Sequence, residues 1–412
     1  MFVLKPLARR PIAFLWAGQV LAATGSEFYM VAVIWIAADL IGRDAGYVSA
    51  VQAGALLAGS LFGGLLTDRW RHRTTMVAVD LVRAALVLVL SAAGLLQVLT
   101  LPLLIVVACA VALATAAFDP ALQATVPAIA PDPAMRHATN SLFDATRRMA
   151  RILAPSLIAV VNGILPKTQF FALTALAYAL SAAAVIAALR GPRAGTAPAG
   201  PSGMARIVDG LVGGARAVRG HGLVIYGMVA NLVGNLTWAA GVLLGMVLYL
   251  RETSTDPLTD YSLMMTGYGV GNLATNLLLS GRPPKRPGLW IVASKLIFGT
   301  GVLLLPFAPD RVWLMTIAAV AATNGPLENL ATLHLMQSRF PPQRLAQVYR
   351  LQMCAIFAGL LLAYLAAPAL YGLFGLAPVI IAAGTLTVAT GLAGAAGLLL
   401  HRHRATARAG TA

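Results

Sequence analysis

Residues 63–90 read GGLLTDRWRHRTTMVAVDLVRAALVLVL. Two apolar runs flank a turn in which Asp68, Arg69, Arg71, His72 and Arg73 fall within six residues. The first run extends back to Ala45 and the second on to Gln97, so each is about as long as the ~20 residues that cross a hydrocarbon core. A short basic turn between two such runs reads as a pair of membrane helices joined on the side where Lys and Arg collect. The same alternation continues outward through the whole chain. It predicts spans near 12–41, 45–67, 75–97, 102–126, 139–165 and 168–189, then 222–250, 260–280, 288–307, 312–336, 345–370 and 376–400. The fold class expected is an all-α polytopic membrane protein, twelve transmembrane helices in two pseudo-symmetric six-helix halves.

Composition excludes the main alternatives. Charged residues are 11% and hydrophobic ones 59% of the 412 residues, against roughly 25% charged in a soluble domain. Twelve spans use up the length and leave no separate soluble catalytic domain. The formal charge of +16 sits in short clusters between apolar runs rather than on an aromatic-interleaved face, which fits membrane topology and not nucleic-acid binding. Twenty of the 30 Lys and Arg lie in the N-terminus, alternate loops, central segment and tail. The opposite loops hold Arg43, Lys167, Arg251 and Arg311. Both termini are therefore expected in the cytoplasm. The expected organisation is an N-terminal half over 1–190, a Gly/Pro/Ala-rich linker ending in a short amphipathic segment over 191–221, a C-terminal half over 222–401 and a tail over 402–412. MFVLKPLARRP leads into the first span without a small-residue cleavage site, so no removable signal peptide is expected. Cys109 and Cys354 lie in apolar runs and read as packing residues; no metal site and no cofactor are expected.

The turn carries a motif. Gly64, Asp68, Arg69 and Arg73, followed by Asp80 and Arg83, resemble the signature loop of the major facilitator superfamily, with Arg71 where the general pattern has glycine and His72 where it has arginine. That variant, with FDPALQATVPAIAPDPAMRHATNSL over 118–142, is similar to the branch that holds drug and siderophore exporters, the enterobactin exporter among them. The resemblance implies alternating access by a secondary transporter of a small molecule, with the site near the bilayer midplane between two halves, and a monomer. It also implies that Asp68 meets the eleventh helix near Gln347 and Arg350. The physics agrees: Gly64 permits close helix approach, Asp68 can accept from a helix N-terminus, and Asp80 and Arg83 at i, i+3 neutralise one another. The plain alternative is a basic anchor, which needs neither the Gly64 to Asp68 spacing nor a buried pair. SGRPPKRP after the eighth helix and SRFPPQRLAQV after the tenth echo the first half. RILAPSLIAV, residues 151–160, stands where many exporters of the superfamily carry Gly-Pro-x-x-Gly-Gly; Pro155 is kept, whereas Ala154, Ile158 and Ala159 replace the glycines.

Charges within spans are costly and mark function. Asp144, Arg147, Arg148 and Arg151 form one stripe on the fifth helix. With a start near Thr139, Arg151 lies roughly 18 Å inward. The arginines either bind an anion, for which they present planar bidentate donors, or snorkel to the cytoplasmic surface. Asp119 is their candidate partner or a proton-coupling acid. Glu27, central in the first helix, can exchange a proton with water from either side, or it is held in a permanent ion pair. Glu328 is a second coupling candidate, with Gly325 and Pro326 loosening its helix; Lys295 is its expected partner, in a structural role. Asn231, Asn235 and Trp238 on the seventh helix, and Tyr268, Asn272 and Asn276 on the eighth, are spaced either to line a polar substrate cavity or to bond helices together.

The function these residues point to is proton-coupled export of a small anionic metabolite, a siderophore being the sharpest form, across a bacterial cytoplasmic membrane. Drug efflux, and import or facilitated movement of an organic anion or lysophospholipid, are the alternatives. An enzyme is not expected, since the His residues are scattered and no GxSxG or P-loop occurs, and no filter loop suggests a channel.

Overall fold

In the computed structural model the residues described are 6–67, 72–130, 132–189, 212–279 and 284–409. They form twelve long helices. In the first half these are α1 (Arg10–Ile41), α2 (Ala45–Thr67), α3 (His72–Leu95), α4 (Leu101–Ile129), α5 (Pro133–Val161) and α6 (Phe170–Ala188). The second half has α7 (Gly222–Thr253), α8 (Pro257–Leu279) and α9 (Pro287–Leu304), then α10 in two pieces, Arg311–Ala321 and Asn324–Arg339, followed by α11 (Pro342–Phe374) and α12 (Leu376–Ala409). The chain divides into two compact units, residues 1–207 and 208–412.

Each unit uses one neighbour scheme. Within the first, α1 packs on α5 and α6, α2 on α4, and α3 on α4 and α6. Within the second, α7 packs on α11 and α12, α8 on α10, and α9 on α10 and α12. This is the duplicated six-helix architecture that the paired loop motifs suggest. Small residues set the closest approaches: Gly267 and Gly271 of α8, four apart on one face, lie directly against the backbone of Met315 and Ala319 of α10, as in small-xxx-small helix contacts.

The outward surface is apolar. Leu96, Ile164, Leu277, Val312 and Leu373 are each more than two-thirds exposed, an arrangement that water would penalise and lipid does not. Eight stretches among the described residues are long and apolar enough to cross a membrane. The helices outside those stretches, α5, α8 and α10, are the ones rich in polar residues, as cavity-facing helices are.

Three details depart from the expected spans. α5 begins at Pro133 rather than near Thr139, because the Asp132 carboxylate accepts the Met135 N–H at 2.8 Å and Pro133 suits the first helical position. Arg151 therefore stands about 27 Å from the helix start rather than 18 Å. The loosening of α10 falls at residues 322–323, just before Gly325 and Pro326, and leaves Pro326 in the first turn of the second piece, where a missing N–H costs nothing. Finally, α7 winds as a π-helix over Trp238–Leu243. Its Leu244 N–H bonds to the Ala239 carbonyl five residues back, and the Ala240 carbonyl accepts from the Tyr371 hydroxyl of α11.

Candidate functional site

In the first unit the motif's second half is a closed polar cell. Asp80 and Arg83 of α3 are both buried and ion-paired to each other. The guanidinium lies 4.9 Å from the Phe118 ring centroid and 4.3 Å from that of Tyr178, with Thr115 Oγ1 at 3.4 Å. The Ser181 hydroxyl stands beside the carboxylate. Burial of such a pair is tolerated because each charge has its counterpart, and the guanidinium has the aromatic faces and Thr115 besides. Through Tyr178 the cell reaches α1: the Tyr178 and Ser26 hydroxyls are 3.0 Å apart. Glu27, half-buried on α1, is the next residue. Thr174 fixes this level of α1 by donating to the Gly25 carbonyl at 2.9 Å. The sequence shows the charges but not the tyrosine that links them, because that link depends on the register of α6.

The rest of the motif is only partly described. Gly64 falls in the last turns of α2 and Arg73, half-buried, in the first turn of α3, while Asp68 and Arg69 lie outside the described residues. Asp119 is on α4, and Asp144, Arg147, Arg148 and Arg151 are on α5; their side chains are likewise outside the described set. Gln347, the expected neighbourhood of Asp68, is covered within its own unit by a short helix over 212–218 whose Gly213 and Gly214 sit on it.

The second unit holds a buried ion pair in its interior. Lys295 Nζ of α9 lies 2.6 Å from Glu328 Oε2 of α10, with side chains 0% and 8% exposed. Gly234 of α7 lies directly over the ammonium, so that any side chain at 234 would collide with it. Tyr226 of α7 is within electrostatic reach of Glu328 and donates to the Thr390 carbonyl at 3.3 Å. The pairing anticipated between Lys295 and Glu328 is thus present, and α7 completes it.

The amide and aromatic residues separate by role. Asn235 Nδ2 donates to Asn231 Oδ1 at 2.8 Å, which makes a single amide pair on α7. Trp238, at the start of the π segment, packs its ring 4.5 Å from that of Tyr268 on α8 and 6.4 Å from that of Phe298 on α9. Asn272 reaches across to the Ala322 carbonyl at 3.4 Å and covers the interruption of α10, a bond between helices. Asn276 is half-buried on the same helix. Trp238 and Tyr268 thus make an aromatic contact between α7 and α8, the Asn231–Asn235 pair an amide contact along α7 with Asn235 against Gly359 of α11, and Asn272 a bond between α8 and α10. Thr332 and Gly227, which the sequence reading passed over, belong to the same region: Thr332 is 6% exposed and lies against Gly227. Their signal was the spacing of four between Asn324, Glu328 and Thr332.

Known proteins agree with this architecture. The chain is 23% identical over 356 residues to macrolide efflux protein A of Streptococcus pyogenes, across 82% of this chain and 83% of that protein. Among solved structures it resembles a point mutant of a peptide transporter POT, with a TM-score of 0.74 at 15% identity over 93% of each chain. It also resembles a point mutant of the nucleoside transporter NupG, with a TM-score of 0.70 at 14% identity over 96% of this chain and 99% of that one. The family model described as Major Facilitator Superfamily matches residues 15–353. A duplicated six-helix membrane fold with charged pairs in the core of each unit, matched by that model over most of its length, makes this chain a member of the Major Facilitator Superfamily, a multi-pass membrane transporter and not an enzyme.

Proposed function

We propose that this transporter exports a small amphiphilic organic molecule from the bacterial cytoplasm in exchange for protons, with both termini on the cytoplasmic side and one chain as the working unit. The observation that carries the reading is the Lys295–Glu328 pair, buried within helices of a membrane protein. A carboxylate there changes protonation only when water or a conformational change reaches it, which is the requirement for coupling a proton gradient to transport. Glu27 is the corresponding acid of the first unit, and Asp119 a third. Trp238, Tyr268 and the Asn231–Asn235 pair supply an aromatic and amide surface suited to a ligand with apolar area and a few polar groups. The macrolide efflux relative supports efflux of such molecules.

A siderophore-like anion is the second reading. It is supported by the stripe of Arg147, Arg148 and Arg151 on α5 and by the motif variant at Gly64, Asp68, Arg69, Arg73, Asp80 and Arg83.

The test is substrate-driven proton movement in proteoliposomes carrying a pH-sensitive dye, with the macrolide erythromycin and a catecholate siderophore as alternative probes. Proton flux driven by erythromycin, and lost in Glu328→Gln, supports the first reading. Flux driven by the siderophore alone, and lost in Arg151→Ala, supports the second. Substrate movement without proton flux in either case rejects coupling and leaves a facilitator.

A further inference from the structure

We propose that the seam between α7 and α10 is a water-filled proton path that ends on Glu328, with Thr332 as the relay next to it; this rests on the proton-coupled reading above. Asn324, Glu328 and Thr332 follow one another at intervals of four, so they form a column on one face of α10. All three are more than nine-tenths buried, at 7%, 6% and 6% exposure. Each presents an oxygen without a hydrogen-bond partner among the described residues: Asn324 Oδ1, Glu328 Oε1 and Thr332 Oγ1. Buried polar atoms of this kind are normally satisfied by ordered water.

The facing helix presents two glycines to the column. Gly227, Asn231 and Gly234 of α7 recur at i, i+4 and i+7, on one side of that helix. A methyl group added to Gly227 would stand 3.4 Å from Ile291 Cδ1 and 3.8 Å from Thr332 Oγ1, and one added to Gly234 would collide with Lys295 Nζ and stand 3.9 Å from Glu328 Oε2. α7 therefore sends one amide and otherwise bare backbone towards the column, with Ile291 and Lys295 of α9 packed over the glycines, so the place for water is beside the unpartnered oxygens of α10.

The spacing suits water as the occupant. Successive members of the column are about 6 Å apart along the axis at 1.5 Å per residue. That is about the span of two hydrogen bonds of ~2.8 Å meeting on one bridging molecule. A metal cation is disfavoured, because the Lys295 ammonium already occupies Glu328 Oε2 at 2.6 Å and would repel it. One helical turn beyond Thr332 the column ends on Met336, which is buried in an apolar cluster with Val224, Met228 and Phe340. A proton that enters the seam as hydronium passes through the water beside Thr332 to the Glu328 carboxylate and leaves that water neutral, while Lys295 keeps its own proton. The pair's charge rises from zero to plus one, a change that a dry interior resists and a hydrated seam permits. Filling of the seam and protonation of Glu328 are thereby linked.

The experiment compares Thr332→Val, which keeps the shape and removes the hydroxyl, with Thr332→Ser, which restores it. Purified wild-type and variant proteins are assayed in proteoliposomes with erythromycin and a catecholate siderophore as probes, for substrate counterflow and for proton-coupled net flux. In Thr332→Val the ratio of net flux to counterflow falls about tenfold, as expected when one hydrogen-bonding relay is lost, and Thr332→Ser returns it to the wild-type ratio. An unchanged ratio in Thr332→Val, or a ratio that serine does not restore, overturns the proposal. If the wild type moves substrate without protons, or moves neither probe, the coupled reading is what fails, and the seam is decided by its water access. In a Cys109→Ala/Cys354→Ala background, Thr332→Cys then reacts with a small charged thiol reagent faster than Leu335→Cys, on the apolar side of the same helix. Equal reactivity at the two positions overturns the seam.

Discussion

The guanidinium of Arg83 is 4.3 Å from the centre of the Tyr178 ring, and the Tyr178 hydroxyl is 3.0 Å from that of Ser26. A charge set by the signature loop is thus joined through one aromatic residue to the part of α1 that carries Glu27. Loss of Asp80 leaves Arg83 buried with aromatic faces and, among the described residues, no counter-charge. Asp80→Asn is expected to cost roughly 3 to 5 kcal/mol of stability, whereas Asp80→Asn/Arg83→Met, which removes both charges, costs less. Denaturant unfolding in mixed micelles checks this. A double variant as unstable as Asp80→Asn alone would show that the pair is not what the cell depends on.

Gly234 is required for its lack of a side chain. The Lys295 ammonium occupies the space where a Cβ would stand, so Gly234→Ala must displace the lysine from Glu328. The expected outcome is a destabilisation of roughly 1 to 3 kcal/mol, the usual cost of overpacking, together with loss of proton-coupled flux. Removing the lysine and its counter-charge together in Gly234→Ala/Lys295→Ala/Glu328→Gln should recover the packing part but not the flux, and recovery of both would deny the ion pair any part in coupling. Gly222→Ala, where nothing stands within 4 Å of the added methyl, serves as the control and should unfold as the wild type does.

Much of this was legible beforehand, and the part that was not has a common cause. Apolar run length located α2 from Ala45 to Thr67 and the starts of α7 and α12, because the hydrocarbon core dictates how many apolar residues a span needs. The Lys295–Glu328 pair was also legible, since two opposite charges in neighbouring spans of an otherwise apolar half have few other partners. The start of α5 at Pro133 was missed because a capping aspartate, Asp132, overrides hydropathy in deciding where a helix begins. Asn272 could be assigned to a polar face but not to the Ala322 carbonyl, because the interruption of α10 that exposes this carbonyl is a tertiary feature. The role of Tyr178 depends on the rotation of α6 about its axis, which an almost uniformly apolar helix does not announce in its sequence.

Trp238 tests the aromatic contact. Its ring packs on Tyr268 at 4.5 Å while remaining half-buried. Trp238→Ala removes both the pair and its larger ring, so the half-saturating concentration of an aromatic or amphiphilic probe should rise about tenfold. Trp238→Phe, which keeps a ring, should raise it less, in line with the roughly 0.5 to 1.5 kcal/mol that an aromatic pair contributes. Transport assays across a concentration series provide the measurement. Equal effects of alanine and phenylalanine would point to the indole N–H rather than to ring area.

The π-helical turn of α7 gives the last prediction. Winding Trp238–Leu243 as a π-helix leaves backbone carbonyls off the ordinary helical ladder, and the Tyr371 hydroxyl of α11 supplies a donor to one of them, that of Ala240. Both ends of this bond are buried, with Tyr371 at 0% and Ala240 at 4% exposure. Tyr371→Phe therefore removes a donor without removing the ring, and the acceptor left behind should cost about 1 to 3 kcal/mol. Because the cost falls on a local winding, it should appear first as faster amide hydrogen exchange over residues 239–245, before any change in α8 or α9. Exchange accelerated uniformly through the second unit would mean that Tyr371 supports the packing of α11 as a whole. Confined acceleration, with transport of the probe altered in the same variant, would identify the π turn as the place where α7 changes its winding as the transporter works.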